Sequence, residues 1–210
     1  MDLYKMNVWQ IFLAGGPIMW PILLCSIFAL AIAIEKLWHL NKIKINTQEF
    51  LSAVLENVKR HQIKEALQIC DNARSPIASI LKAGVLKYDR SRPQIKEAIE
   101  DASLYEIPNL EKNLPTLATL AHISPLLGLL GTVMGMIRAF QAIQVNAATM
   151  RPVSQGDLAG GIWEALLTTV AGLVVAIPTF VVYNYLVNRV NHFILEMEKA
   201  ATELVSFLTE

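Results

Sequence analysis

Two apolar segments of this sequence carry hydroxyl and carboxyl groups where lipid contact alone would favour leucine and isoleucine. A hydroxyl in a membrane helix can donate or accept a hydrogen bond, and a carboxylate there can attract a cation. Such groups are typical of helices that pack on other helices or line a polar path. The segments are Pro125–Phe140 (PLLGLLGTVMGMIRAF) and Gly161–Pro178 (GIWEALLTTVAGLVVAIP), and the polar side chains are Thr132, Glu164, Thr168 and Thr169.

Small residues recur in both segments at steps of three or four, which places each set on one face of a helix. The first set is Pro125, Gly128, Thr132, Gly135 and Ala139; the second is Thr169, Gly172, Ala176, Thr179 and Tyr183, with Thr168 beside it and Pro178 in the same helix. The spacing Gly131-x-x-x-Gly135 allows close approach of two backbones. Two such faces around one axis would enclose a narrow passage. Helix packing alone is the alternative, with threonine hydroxyls bonded to carbonyls of their own helix.

Three stretches are apolar enough to cross a bilayer, which needs about 20 helical residues. They lie at Ile18–Ile34, Leu117–Ile137 and Ala165–Val187, in a chain that is 54% hydrophobic and 17% charged. Twelve Lys and Arg residues lie between the first two spans, from Lys42 to Lys112, and only Lys5 precedes the first span. The positive-inside rule therefore places the middle segment and the C-terminus in the cytoplasm and the N-terminus outside. A signal peptide is disfavoured because no A-x-A site follows the first stretch.

The predicted fold is an all-α integral membrane protein with three transmembrane helices and long cytoplasmic helical extensions. The predicted parts are an extracytoplasmic N-terminal segment at 1–17, transmembrane helices at 18–38, 115–140 and 162–187, a cytoplasmic helical domain at 39–114, an extracytoplasmic loop at 141–161 and a cytoplasmic C-terminal helix at 188–210.

Helix start signals divide the cytoplasmic domain. Asn46 and Glu49 resemble a capping box that opens a helix with apolar positions as far as Cys70. Ser75-Pro76 predicts a second helix, ending about Tyr88, and Ser91-Arg-Pro93 a third that runs almost without interruption into the second span, bent at its prolines. A seven-residue repeat after the third span predicts one continuous helix from Gly160 to Leu208.

Glu164 and His122 each admit two roles. Glu164 lies near the outer end of the third span, where a carboxylate can reach the interface, so it serves either the structure or an ion pathway. His122 lies near the inner end of the second span and serves either packing or, through its near-neutral reference pKa, a proton relay.

Several function classes are disfavoured. No nucleophile–base set, phosphate-binding loop or metal-ligand spacing is visible, so we expect no enzyme activity, metal or cofactor. The net charge of zero gives no reason to expect nucleic-acid binding. Cys25 and Cys70 lie in different environments, so a disulfide is not expected.

The two segments, together with GGPIMWPILLCSIFALAIAIEKLW at the first span, resemble the MotA/TolQ/ExbB family of proton-channel subunits. Three spans and an outside N-terminus favour the ExbB/TolQ branch over the longer MotA type. The resemblance implies a homo-pentameric ring in the bacterial inner membrane, whose second and third helices line a central pore that holds two single-span helices of an ExbD/TolR-like partner. A membrane Asp of that partner would carry the proton, and a TonB- or TolA-like protein would receive the work.

The resemblance assigns the family's pore threonines to Thr132 and Thr169 and its glutamate to Glu164, with Thr168 added to the pathway. Gly128, Gly131, Gly135, Gly172, Pro125 and Pro178 would pack the helices around the pore. The expected function is conversion of proton-motive force into work for TonB-dependent import or Tol–Pal-type envelope processes, and GGPIMWPIL favours the ExbB-like side. The alternative is a non-conducting oligomeric scaffold.

Overall fold

A computed structural model describes residues 7–148 and 155–208, and over these ranges the regular structure is helical without strands. Its helices are α1 (Val8–Ala14), α2 (Met19–Lys42), α3 (Thr47–Lys59), α4 (Ile63–Asn72), α5 (Pro76–Val85), α6 (Arg92–Glu111), α7 (Leu114–Ala148) and α8 (Gln155–Leu208). The all-α fold class is thereby confirmed.

Three helical stretches within the described residues are long and apolar enough to cross a membrane. One is Met19–Lys42, and the others lie within Arg92–Ala147 and Leu158–Leu208. They coincide with the three stretches expected from hydropathy, so the protein has the helices of a multi-pass membrane protein. The continuous C-terminal helix is confirmed as well, since α8 is unbroken over 54 residues.

The chain divides into two compact units. The first comprises Met1–Ile34 and Pro115–Asn184, and the second comprises Glu35–Leu114 and Tyr185–Glu210. The first unit therefore holds most of the apolar helices, and the second holds α3 to α6 with the C-terminal part of α8.

The second unit has a core of large aliphatic side chains. Helices α3 to α6 pack in chain order, each on the next along α3–α4, α4–α5 and α5–α6. Gly84 of α5 lies against Leu204 of α8, since a Cβ there would come within 2.7 Å of Leu204 Cδ2. The seven-residue repeat of α8, with pairs Val190/Ile194, Met197/Ala201 and Leu204/Leu208, is buried at the first residue of each pair.

The start signals of the second unit are confirmed. The Asn46 side chain accepts a hydrogen bond from the Glu49 amide, and Ser91 forms a capping box with Gln94. Ser75 is the N-cap of α5 and Pro76 its first residue, where the missing N–H costs nothing.

Three helix boundaries differ from those expected. The helix that starts at Asn46 does not reach Cys70: α3 ends at Lys59, His61 adopts a positive φ of 57°, and α4 begins at Ile63. The break allows both helices to bury their apolar faces, at Val58 and Ala66 among others. The second predicted helix, α5, ends at Val85 and not at Tyr88.

The junction between the third cytoplasmic helix and the second span is also sharper than expected. Lys112 is extended and Asn113 has a φ of 67°, so α6 stops before α7 begins. The predicted prolines are tolerated inside or at the start of helices. Pro108 lies within α6, Pro125 lies within α7, and Pro115 occupies the first turn of α7.

Candidate functional site in the α7–α8 seam

Helices α7 and α8 meet in the first unit through their smallest residues. A Cβ placed on Gly135 would lie 2.6 Å from the Gly161 carbonyl oxygen, and one on Gly172 would lie 2.6 Å from that of Ser124. Real Cβ atoms do not approach so closely, so these backbones are in direct contact. We call this contact surface the seam, and its members are Ser124, Gly128, Gly131, Gly135 and Ala139 of α7 and Gly161, Ala165, Thr168, Thr169 and Gly172 of α8.

Thr168 lies at the centre of the seam, where it is fully buried. A Cβ on Gly131 would overlap its side chain, so only glycine fits opposite it. The Thr168 hydroxyl is 2.9 Å from the Ala165 carbonyl oxygen and 3.2 Å from that of Glu164. Its one proton is thus satisfied within its own helix, and the residue packs the two helices together.

Thr169 belongs to the seam, Thr132 follows the seam residue Gly131 on α7, and both threonines are only half-buried. The Thr169 hydroxyl donates across the helix pair to the Gly128 carbonyl oxygen at 3.3 Å. The Thr132 hydroxyl donates to the Leu129 carbonyl oxygen at 2.6 Å. Each oxygen still has lone pairs for a second partner, and each hydroxyl proton could be redirected by rotation about the Cβ–Oγ1 bond.

Glu164 forms an ion pair with Arg138 of α7. The glutamate side chain is 15% exposed and the arginine 41%, so the carboxylate is the more enclosed partner. Sequence reasoning did not identify this pair. The available signal is that each charge follows a seam glycine by three residues, Arg138 after Gly135 and Glu164 after Gly161.

The turn between α1 and α2 covers this ion pair. Gly16 has a φ of 71°, a conformation that favours glycine. A Cβ on it would overlap the Glu164 carboxylate and lie 3.2 Å from Arg138 Nη1. Gly16 is therefore part of the site, since its backbone closes over the two charges.

His122 and the two prolines lie outside the seam contacts. The His122 ring is edge-on to Phe180, with centroids 6.0 Å apart, and its Nδ1 lies 2.7 Å from the Ala118 carbonyl oxygen. Pro125 is half-buried and Pro178 is exposed on the subunit. The predicted pore roles of these residues, as of the threonines and Glu164, stay predictions.

Comparison with known proteins identifies the family. Residues 72–199 match the model of the MotA/TolQ/ExbB proton channel family. The chain is 32% identical over 193 residues to a putative biopolymer transport protein ExbB homolog of Methanothermobacter thermautotrophicus, covering 91% of this chain and 67% of that protein. It is also 32% identical over 172 residues to the putative biopolymer transport protein ExbB-like 3 of Synechocystis, covering 82% and 81%.

A shorter and closer match falls on a Tol-Pal system protein. The chain is 47% identical over 87 residues to TolQ of Haemophilus influenzae, which covers 41% of this chain and 36% of that protein. With three candidate membrane helices and a glycine–threonine seam already in place, these matches confirm the predicted resemblance. The chain belongs to the MotA/TolQ/ExbB proton channel family, in its ExbB/TolQ branch.

Proposed function

We propose that this chain is the proton-channel subunit of an inner-membrane motor that works through an ExbD/TolR-like single-span partner. Several copies, five in the form that the family resemblance implies, would surround the partner's helix. The N-terminus would lie outside and the C-terminus in the cytoplasm. The subunit would convert proton-motive force into mechanical work for TonB-dependent import or a Tol–Pal-type process, without enzymatic chemistry.

The observation that carries this proposal is the different environment of the three threonines. All three hydroxyls donate to carbonyls of the subunit, but Thr168 is fully buried whereas Thr132 and Thr169 are only half-buried. A partner aspartate that loses its proton in this region would need hydrogen-bond donors to offset its desolvation. Thr132 and Thr169 can supply them by rotating their hydroxyls away from carbonyls of the subunit.

The driving force is adequate for such a cycle. One proton that moves down 100 mV supplies about 2.3 kcal/mol. Protonation makes the partner's carboxyl neutral and able to pass the apolar wall, and release on the other side restores its charge. Each step then changes which arrangement of partner and ring is favoured, and about 2.3 kcal/mol shifts a two-state equilibrium by about fifty-fold.

Glu164 has a holding role in this scheme. Its carboxylate is already paired with Arg138 and covered by Gly16, so the pair offers little net charge to attract a cation. We assign it to fixing α7 against α8 beside the seam, which keeps Thr132 and Thr169 at a constant separation. Glu164→Gln should therefore affect assembly and activity together.

The test is proton flux in liposomes that contain this chain and an ExbD/TolR-like protein from the same genome. Replacing Thr132 and Thr169 by valine preserves side-chain shape and removes both hydroxyls. We expect the double variant to lose about tenfold or more of the proton flux, since hydrogen bonds to charged groups contribute about 1.5–3 kcal/mol. A pH-sensitive dye inside the vesicles measures the flux.

Thr119→Val is the matched control. Thr119 lies on α7, is exposed, and donates to the Pro115 carbonyl oxygen at 2.8 Å. Its replacement should leave flux unchanged. Full flux in the Thr132/Thr169 double variant would refute the assigned roles.

A non-conducting scaffold is the second candidate, and the close packing of the seam favours it equally. It predicts that the work done on the partner is insensitive to an uncoupler when ATP is held constant. Loss of that work on adding the uncoupler would exclude the scaffold.

A further inference from the structure

A cavity of about 640 Å³ in the second unit lies beside the N-terminus of α5. Basic side chains line much of it: Lys36, His39, Arg74, Lys82 and Lys112. Three carboxylates line it too, those of Glu35, Asp71 and Glu106. The four Lys and Arg side chains exceed the three carboxylates, so the cavity is mildly positive even with the histidine neutral.

Some of these charged side chains already form ion pairs or hydrogen bonds within the protein. Asp71 is ion-paired with Lys82, and Glu35 accepts a hydrogen bond from Asn113 at 3.2 Å. Lys36 is almost fully buried and donates to the Leu110 carbonyl oxygen at 3.2 Å, at the C-terminal end of α6. The guanidinium of Arg74 is different: it is exposed and forms no ion pair with any residue that the structure describes.

Three hydrogen-bond donors next to Arg74 lack acceptors. Ser75 is only 4% exposed, lines the cavity, and its hydroxyl has no partner among the described residues. It is the N-cap of α5 but makes no side-chain capping bond. The first amide of α5 to bond within the chain is that of Ser79, to the Ser75 carbonyl oxygen at 3.2 Å.

The backbone amides of Ile77 and Ala78 therefore donate no hydrogen bond among the described residues. Pro76 has no N–H, and over the described part of the chain neither of these two amides finds a carbonyl or side-chain acceptor. Both residues are buried. The first amides of any helix lack intrahelical acceptors, so these two become informative only beside the buried Ser75 hydroxyl. A buried hydroxyl is almost always paired, so its missing partner indicates an acceptor that the described residues do not supply.

We propose that this cavity binds a phosphate group. The N-terminus of a ten-residue helix presents two amides and a positive partial charge, Ser75 adds a hydroxyl donor, and Arg74 adds a guanidinium that suits phosphate geometry. Phosphate oxygens are strong acceptors, and a tetrahedral anion can bind several donors at once. The site is independent of the seam and of the proposed proton pathway.

Two sources can provide this group. One is a free phosphate or phosphate monoester from the cytoplasm. The other is the headgroup of an anionic phospholipid, because Lys36 lies in the last turn of the first predicted span and Lys112 precedes the second, at the level where headgroups lie.

The first experiment titrates the full-length chain in neutral detergent with inorganic phosphate, by calorimetry. Arg74→Gln removes an exposed charge and should weaken binding about tenfold or more. Ser75→Ala removes only the hydroxyl and should weaken it a few-fold. In protein labelled with ¹⁵N-alanine, phosphate should shift the Ala78 amide resonance.

Matched controls lie on α3. Arg60→Gln removes an exposed guanidinium that pairs with Glu56, and Ser52→Ala removes an exposed hydroxyl bonded to the Glu49 carbonyl oxygen. Neither should change phosphate affinity. If Ser75→Ala fails to fold, the exposed Arg74→Gln variant still decides the outcome.

The second arm places the chain in nanodiscs with and without phosphatidylglycerol. Retention of this lipid through purification, reduced in Arg74→Gln and not in Arg60→Gln, assigns the site to a headgroup. Arg74-dependent binding of inorganic phosphate without lipid retention assigns it to a soluble ligand. If neither phosphate nor phosphatidylglycerol binds in an Arg74-dependent way, the proposal is wrong.

Discussion

In the seam, two helices meet through glycine, alanine and threonine, whereas in the second unit the helices meet through isoleucine, leucine and valine. Large apolar side chains of α7 and α8, such as Leu126 and Val174, lie exposed on the first unit. Their counterparts Ile80 and Leu81 in α5 are fully buried. The same residue types thus point outward in one unit and inward in the other.

The difference follows from the solvent that each unit is built for. In water, burying an aliphatic side chain contributes about 1.5–3 kcal/mol, so the second unit places these residues in a core. In lipid that gain is absent, and helices associate through close packing and interhelical hydrogen bonds. Small residues then hold the helices together, and the large ones are free to contact lipid or other subunits.

The largest effect should come from the core of the second unit. Leu81→Ala leaves a cavity among fully buried neighbours and should lower the free energy of unfolding by about 2–5 kcal/mol. Leu86→Ala, at the C-cap of α5 and more than half exposed, should change it by about 0.5 kcal/mol or less. Urea denaturation of the full-length chain in detergent, followed by circular dichroism, measures both. Equal effects would mean that the second unit is not held by its aliphatic core.

A substitution that enlarges a seam residue should destabilise the protein, whereas one that shortens a seam residue should not. Gly161→Ala places a methyl group 2.7 Å from the Gly135 carbonyl oxygen and 2.8 Å from the Ala139 Cβ, which should cost about 1–3 kcal/mol. Its neighbour is a close control, because a Cβ on Gly160 meets nothing within 4 Å.

Gly160→Ala should therefore be neutral or slightly stabilising, since alanine favours helix over glycine by about 1 kcal/mol. Thermal unfolding in detergent compares the two variants. If both behave alike, α7 and α8 do not pack through glycine in the assembled protein.

Much of this contrast could be predicted from the sequence. Helix starts at Asn46, Ser75 and Ser91 follow from local capping chemistry, which needs no tertiary information. The break at His61 and the stop at Asn113 were not predicted. Both rest on positive φ, which His and Asn adopt more often than most residues other than glycine but still in a small minority of cases. Tertiary packing determines where these two helices end, because the breaks allow the helices on both sides to bury their apolar faces.

The seam shows a similar limit. Periodicity identified the small residues, but it placed Thr169 on the face and Thr168 beside it, whereas Thr168 is the central buried residue. Adjacent residues differ by about 100° around a helix, so the choice depends on the rotation of α8 against α7. The pairing of Arg138 with Glu164 depends on the same rotation and on the register of the two helices, neither of which a one-dimensional pattern contains.

A smaller effect should come from that ion pair. Arg138→Gln leaves a mostly enclosed carboxylate without its partner, but the partial exposure of the arginine weakens the interaction. We expect a loss of about 1–2 kcal/mol in stability, between the values for surface and buried pairs. Arg138→Gln combined with Glu164→Gln should recover part of the loss, because no unpaired charge remains. A double-mutant cycle by thermal unfolding measures the coupling, and strict additivity would exclude a stabilising pair.

The smallest expected effect is on the pH dependence of the free energy of unfolding, which tests the aliphatic core of the second unit. Burial raises the pKa of the Cys70 thiol from 9.0 to about 11, so the folded state holds this proton more tightly than the unfolded state. The contribution of the neutral thiol is therefore complete below pH 9 and declines as the pH rises towards 11. Linkage gives a loss of about 1 kcal/mol between pH 8 and pH 10.

Cys70→Ala should flatten this part of the stability profile, apart from the constant cost of its smaller side chain. Cys70→Ser is less suitable, because it adds a hydroxyl that needs a partner in the core. Comparison of wild type and Cys70→Ala between pH 8 and pH 10, by urea denaturation, isolates the thiol. An identical slope in the two proteins would mean that Cys70 is solvated, and that water enters the core which distinguishes the second unit from the seam.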